Sequence, residues 1–143
     1  MPTFKHGKNA QFSIDGSAST LVDISDTLNT ISMPRAIETA ETTAFGTQDK
    51  TYIVGLSDAT ISLSGMLDQA TDVHIKTMIA NLKAGTLDSA SFQYGPMGST
   101  VGFPKFTGEA IVTAYDISSP VGDVLTYSLE LQVTGAITQG VYA

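Results

Sequence analysis

Residues 42–68 read TTAFGTQDKTYIVGLSDATISLSGMLD, and the rest of the chain is arranged around them. The stretch opens extended and Thr-rich, turns through a loop holding Gly46, and resumes as a short apolar strand at 52–54. A corner at Gly55 and Leu56 precedes the clearest strand of the first half, residues 59–67. There Ala59, Ile61, Leu63 and Leu67 take one face, and Thr60, Ser62, Ser64 and Met66 the other. That period of two marks a half-buried strand. Gly65 interrupts the apolar face, as at a bulge or a close backbone approach. Nothing in the stretch resembles a reaction centre. It is a strand–loop–strand joint that fixes where a long loop sits.

Upstream, residues 35–51 read RAIETAETTAFGTQDKT. They are too poor in apolar residues for a core strand and too Thr-rich for a helix, so a polar β-ribbon or a long loop fits. Loops longer than about 12–15 residues in compact domains are usually functional or disordered. Ile37 and Phe45 imply that this one orders against something. Before it, residues 29–33 alternate with Ile31 and Met33 on one face, and Pro34 stops ladder pairing. Ser25-Asp26-Thr27 suits a single capped turn. Phe12 and Ile14 point inward from 11–15, Asp15-Gly16 signals a turn, and 21–24 resumes, which reads as a hairpin. Residues 1–10, with Phe4, Lys5, His6 and Lys8, read as a flexible arm or as one that docks on an acidic neighbouring subunit.

Downstream, residues 72–84 form the one good helix. Ile75, Met78, Ile79 and Leu82 make its apolar stripe, Thr71 or Asp72 suits its start, and Gly85 its end. His74 lies off the stripe, as a solvated or rim histidine. Residues 89–94 read as a strand and 95–98 as a turn. An extended run covers 103–115, broken by Pro104 and Gly108, and 118–123 is another turn. Residues 124–134 alternate most cleanly: Leu125, Tyr127, Leu129, Leu131 and Val133 against Thr126, Ser128, Glu130, Gln132 and Thr134. One side is buried and the other faces water or a wet lumen. Gly135 ends that strand, leaving 136–143 as a tail. The sum is a mainly β chain of seven or eight strands, an antiparallel β-sandwich or barrel with one flanking α-helix.

A length of 143 residues suits one domain, spanning 11–135. No apolar run is long enough for a spanning helix, and the N-terminus lacks a secretory pattern, so synthesis in the cytoplasm without membrane insertion is expected. The absence of cysteine removes disulfides and the common structural zinc sites. His6 and His74 are too few and too far apart for a metal cluster. Fourteen acids against seven bases give a net charge of −7. That opposes wrapping nucleic acid, yet suits a wall past which a polyanion slides, or ordinary solubility. Serine lacks a suitably placed histidine base for a triad, no phosphate-cradling glycine motif occurs, and no cofactor is implied. Glu109 and Glu130 are the one tempting carboxylate pair, more simply read as surface acids. A Ser/Thr/Gly-rich β domain with one long loop suits a subunit of an assembly.

Several pieces taken in order carry a resemblance: SDTLNTI at 25–31, MPR at 33–35, ETAETTAFG at 38–46, GLSDATI at 55–61, and the closing GEAIVTAY and LTYSLELQVTG strands. Over roughly residues 10–135 the chain resembles the major tail tube proteins of phages with long, non-contractile tails. The resemblance implies a β-sandwich or barrel subunit, hexameric rings that stack into a tube, and passage of DNA through a negative lumen. It implies contacts with adjacent subunits from the long loop, carried here by Arg35, Ile37, Phe45, Asp49 and Lys50. Candidate lumen acids are Glu38, Glu41, Glu109 and Glu130. Implied partners are other copies of the chain, a tape measure protein, a tail terminator and baseplate or distal tail proteins, with assembly in the host cytoplasm. Competing readings are a tube subunit of a contractile injection machine, a monomeric carbohydrate-binding β module and, third, an enzyme.

Overall fold

The computed structural model describes residues 7–15, 21–46 and 48–143. The strands are β1 (Gln11–Asp15), β2 (Leu21–Asp23), β3 (Leu28–Ser32), β4 (Arg35–Glu41), β5 (Tyr52–Met66), β6 (Ala90–Gly95), β7 (Pro104–Ser118) and β8 (Thr126–Val141). The helix α1 (Gln69–Ala84) separates β5 from β6. Seven strands follow the order β2-β1-β6-β7-β8-β5-β3, and β4 joins β5 beside that path. Every pairing is antiparallel. The antiparallel architecture with one flanking helix takes the form of a single curled sheet, an open half-barrel.

The core is the apolar face of that sheet closed by the helix. Phe12, Ile14, Ile61, Leu63, Phe92, Leu129 and Leu131 are buried, as are Ile75 and Met78 from α1. Each such side chain contributes about 1.5–3 kcal/mol on leaving water. Phe12 stacks on Phe92 with ring centroids 6.1 Å apart, and Tyr94 joins Phe12 to Phe106. Leu125, read as a core position, is exposed, because it precedes the first residue of β8.

The helix starts at Gln69 rather than at residue 72, with Asp68 as its N-cap. Thr71 and Asp72 therefore sit inside the first turn. Thr71 is buried, and the Asp72 carboxylate accepts a 2.8 Å bond from the Tyr115 hydroxyl. Burial, then that bond and the carboxylate's charge, push the Tyr115 hydroxyl above its ordinary titration range. His74 is more than a rim residue: its Nε2–H donates to the Ile14 carbonyl at 2.9 Å, tying the helix to β1. At the other end, Thr86 N–H donates to Asn81 O and Gly85 N–H to Leu82 O, a Schellman closure.

Three expectations change. The corner at Gly55 and Leu56 does not divide the strand: β5 runs unbroken for 15 residues. Those residues form a bulge, because Ile37 pairs Ser57 while Thr39 pairs Val54. Residues 35–51 are not one loop, since 35–41 form β4 against β5. Residues 136–141 are not a tail. Gly135 takes φ 82°, and β8 bulges there between Thr134, opposite Glu109, and Thr138, opposite Thr107, then continues to Val141.

Gly65 is a close approach. A Cβ there would lie 1.9 Å from the Thr27 carbonyl oxygen. The Asp15-Gly16 turn and residues 1–6 of the proposed arm lie outside the described residues; Gly7–Asn9 form a single 3-10 turn.

Candidate functional site

The ribbon formed by β4 and the first half of β5 is solvent-exposed along its whole length. It carries Ile37, Tyr52, Ile53, Val54 and Leu56, all exposed, and Phe45 in its turn is fully so. Alternation puts Ile53 on one face of the ribbon and Ile37, Tyr52 and Val54 on the other, and so many exposed apolar residues on one element mark an interaction site. The threonines set its neck. Thr42 N–H donates to Thr51 O at 2.8 Å, their hydroxyls meet at 2.8 Å, and Thr51 N–H donates to Thr43 Oγ1 at 3.1 Å. Asp49 and Lys50 lie exposed in the turn. Arg35, at the ribbon's root, places its guanidinium 5.9 Å from the Phe106 ring centroid across the body of the sheet.

The ribbon parts from the sheet at a fork. β5 pairs β8 only from Thr60 to Met66. At the split, Gln132 Nε2 donates to the Asp58 carboxylate and, at 3.1 Å, to Ala59 O. Asp58 Oδ1 also accepts Ala59 N–H at 2.9 Å. Between the diverging arms lies a cleft of about 660 Å³, lined by Ile37, Leu56, Val133 and Ile137 among others.

The face opposite the core is polar. Register places Ser62 beside Glu130, and Glu130 beside Ala114. Glu109 sits between Ser91 and Thr134 on the same face, about four residues, or roughly 13 Å, further along β8. The structure thus brings Glu109 and Glu130 onto one surface without pairing them. Asp116, opposite Ser128, shares that surface, as does Asp58, adjoining Thr60 by alternation. Sequence reading passed over both; the period of two across the β7–β8 pair is the signal that finds Asp116. Alternation along β4 splits the other two acids: Glu38 shares the face of Ala36 and Asp58, and Glu41 the opposite face with Ile37. Besides Arg35, Lys105 is the one base on the described strands, its Nζ 5.5 Å from the Tyr142 ring centroid.

A family profile described as "Phage tail tube protein" matches residues 18–139. The chain belongs to the phage tail tube protein family. It is a structural protein of the virion tail.

Solved tail tube structures share its fold. The tail of an empty gene transfer agent particle has a TM-score of 0.74 at 19% identity, covering 96% of this chain and 100% of that one. The SPP1 tail tube gives 0.74 at 10% identity, over 96% of this chain and 79% of that one. A chain of the anti-feeding prophage baseplate gives 0.75 at 13% identity, over 99% and 98%. No curated protein matches the sequence. Among the described residues, no helix of this tail tube protein is long and apolar enough to cross a membrane.

Proposed function

We propose that copies of this chain join side by side into hexameric rings, and that the rings stack into the tube through which phage DNA passes to the host. The observation that carries the reading is a pair of unlike open edges. On one side, β3 and β4 line the same edge of β5, and their outer edge has no partner strand among the described residues. On the other, β6 covers β7 only up to Ala110, so 111–118 present a second open edge. Open edges are templates for pairing. Two different edges on one subunit give a head-to-tail contact, which closes as a ring when the rotation allows. The C6 symmetry of the similar gene transfer agent tail supports a hexamer.

The polar face then lines the lumen. Glu109, Glu130, Asp116, Asp58 and Glu38 repeat around it as a negative wall, which repels phosphate and leaves DNA no site at which to stick. Glu41 drops out of that set and belongs with Ile37 on the other face. Arg35, Ile37, Phe45, Asp49 and Lys50 belong to the ribbon that reaches neighbouring copies. A tape measure protein inside the tube, and a terminator and baseplate or distal tail proteins at its ends, complete the set of partners. The role is structural rather than enzymatic.

Negative-stain microscopy of the concentrated protein tests the reading, with rings or tubes expected. Replacing residues 36–50 by a short Gly-Ser linker is expected to leave a folded monomer; normal tubes from that variant would remove the ribbon from assembly. A second reading, a tube of a contractile injection system, draws on the likeness to the anti-feeding prophage baseplate. Reversal of Glu109 and Glu130 to lysine separates the two. It is expected to leave tubes intact and to slow DNA delivery only where DNA is the cargo.

A further inference from the structure

The fork at the root of the ribbon leaves two strand edges open toward each other. From 52 to 58, β5 pairs β4 on one edge and, among the described residues, no strand on the other. From 133 to 141, β8 pairs β7 alone. The two edges part although they continue the very ladder that joins Met66 to Thr126 and Thr60 to Gln132. Their side chains do not oppose closure: Ile37 and Leu56 line one wall of the cleft, Val133 and Ile137 the other. The cause lies at the last rung. Thr60 N–H donates to Pro34 O at 3.2 Å, away from β8. Alternation therefore turns the N–H and C=O of Ala59 toward β8, where the next rung would join Ala59 N–H to the Val133 carbonyl. Two side chains stand in its place. Ala59 N–H donates to Asp58 Oδ1 at 2.9 Å, and the same oxygen accepts from Gln132 Nε2. That Nε2 lies 3.1 Å from Ala59 O and 3.4 Å from Val133 O. A carboxylate and an amide thus carry the connection from Ala59 N–H to Val133 O. Side chains that offer the backbone a local partner compete with its ladder.

We propose that Asp58 and Gln132 form a wedge that ends the β5–β8 ladder and sets the angle at which the ribbon leaves the body. Both are positioning residues, since they act on the direction of β5 and need touch nothing outside their own chain. Without them Ala59 N–H and Val133 O pair directly, Asp58 comes to lie opposite Thr134, and the ribbon swings toward β8 as the cleft narrows. The bulge at Gly55 and Leu56 limits how far such pairing runs. The carboxylate serves as a double acceptor, and an amide oxygen can do the same work. The wedge acts within one chain, so it holds whether or not rings form; in a tube it presents every ribbon at one angle.

The native chain has no cysteine, which makes the test direct. Spin labels are placed through Phe45→Cys, in the ribbon turn, and Thr138→Cys, on β8, both exposed positions. Their separation is measured by electron–electron resonance on dilute, unassembled protein. Gln132→Val and Asp58→Ala are each expected to shorten it by roughly 5 Å or more, one strand spacing. The Ser57 amide, which alternation points the same way as that of Ala59, is expected to gain protection from hydrogen exchange in both. Asp58→Asn keeps an acceptor oxygen and is expected to hold the native distance. Asp58 is exposed, so Asp58→Ala gives the reading even where Gln132→Val fails to fold. A separation unchanged in Asp58→Ala overturns the wedge and leaves the bulge at Gly135 as what parts the strands. Equal shortening in Asp58→Asn overturns it as well, because charge rather than the paired hydrogen bonds would then hold the fork.

Discussion

The two halves of β5 are one strand with opposite surroundings. From Ala59 to Gly65, alternate residues sink into the core between β3 and β8, and Ile61 and Leu63 lose all contact with water. From Tyr52 to Asp58 every residue is exposed, although Tyr52, Ile53, Val54 and Leu56 are as apolar as those in the buried half. Composition does not separate the halves; neighbours do. The buried half pairs β3 on one edge and β8 on the other, while the exposed half pairs only β4 within the described residues. Apolar surface left in water costs solubility and returns nothing to the lone fold. Its place here is intelligible if the missing neighbours belong to other copies.

Mutations can break or sharpen that contrast. Phe92→Ala, in the buried region, is expected to lower stability by about 3–5 kcal/mol, read from the urea midpoint. A loss below the range for an exposed site would mean that the core is not where the burial pattern places it. Gly65→Ala forces a methyl group against the Thr27 carbonyl and is expected to cost about 1–3 kcal/mol, with disturbed pairing of β3 seen by amide exchange.

Tyr115→Phe removes the bond to Asp72, at a cost on the order of 1–2 kcal/mol near neutral pH. The sign of its pH dependence follows from the raised hydroxyl. The folded state holds that proton more tightly than the unfolded chain. The contribution is therefore fully present below the ordinary tyrosine value, about pH 10, and is lost as pH climbs from there through the higher folded-state value. Burial raises Tyr94 and Tyr127 as well, Tyr127 against an opposing bond from Thr27, so the wild type should weaken on the alkaline side. Tyr115→Phe should flatten that decline, and an unchanged slope in urea midpoints against pH would assign it elsewhere.

The smallest effect on the lone fold belongs to the ribbon. Val54→Ser with Leu56→Ser should move monomer stability by no more than about 0.5 kcal/mol at each site. The same pair should shorten or abolish tubes under the microscope. A large loss of monomer stability would show that the ribbon is packed on its own subunit.

The buried half was legible because burial on one face writes a period of two into the sequence. Phe12 and Ile14, Ile61 and Leu63, and Tyr127 through Val133 all announce their faces, and the Ile75–Met78–Ile79–Leu82 stripe announces the helix. The ribbon was not legible in that way. A strand wet on both faces has no period to display, so 35–41 could be read as ribbon or loop until its pairing with β5 was known. The bulge at Gly135 hid the last third of β8, because a glycine inside a strand and one after it look alike in sequence. His74 misled because a backbone carbonyl from a distant strand leaves no mark near the histidine. Placing the acids needed the long-range register: Asp58, Asp116, Glu109 and Glu130 share a face through pairings between distant residues, and Glu41 leaves the group by simple alternation.

The continuity of β5 has a mechanical consequence. A pull on the ribbon of an assembled subunit runs along the strand's axis into the seven residue pairs that join it to β8 and the shorter ladder to β3. Loaded in this direction, the bonds share tension in shear and must fail together, where a peeling load would open them one after another. A cable of such subunits would stretch little before it snapped.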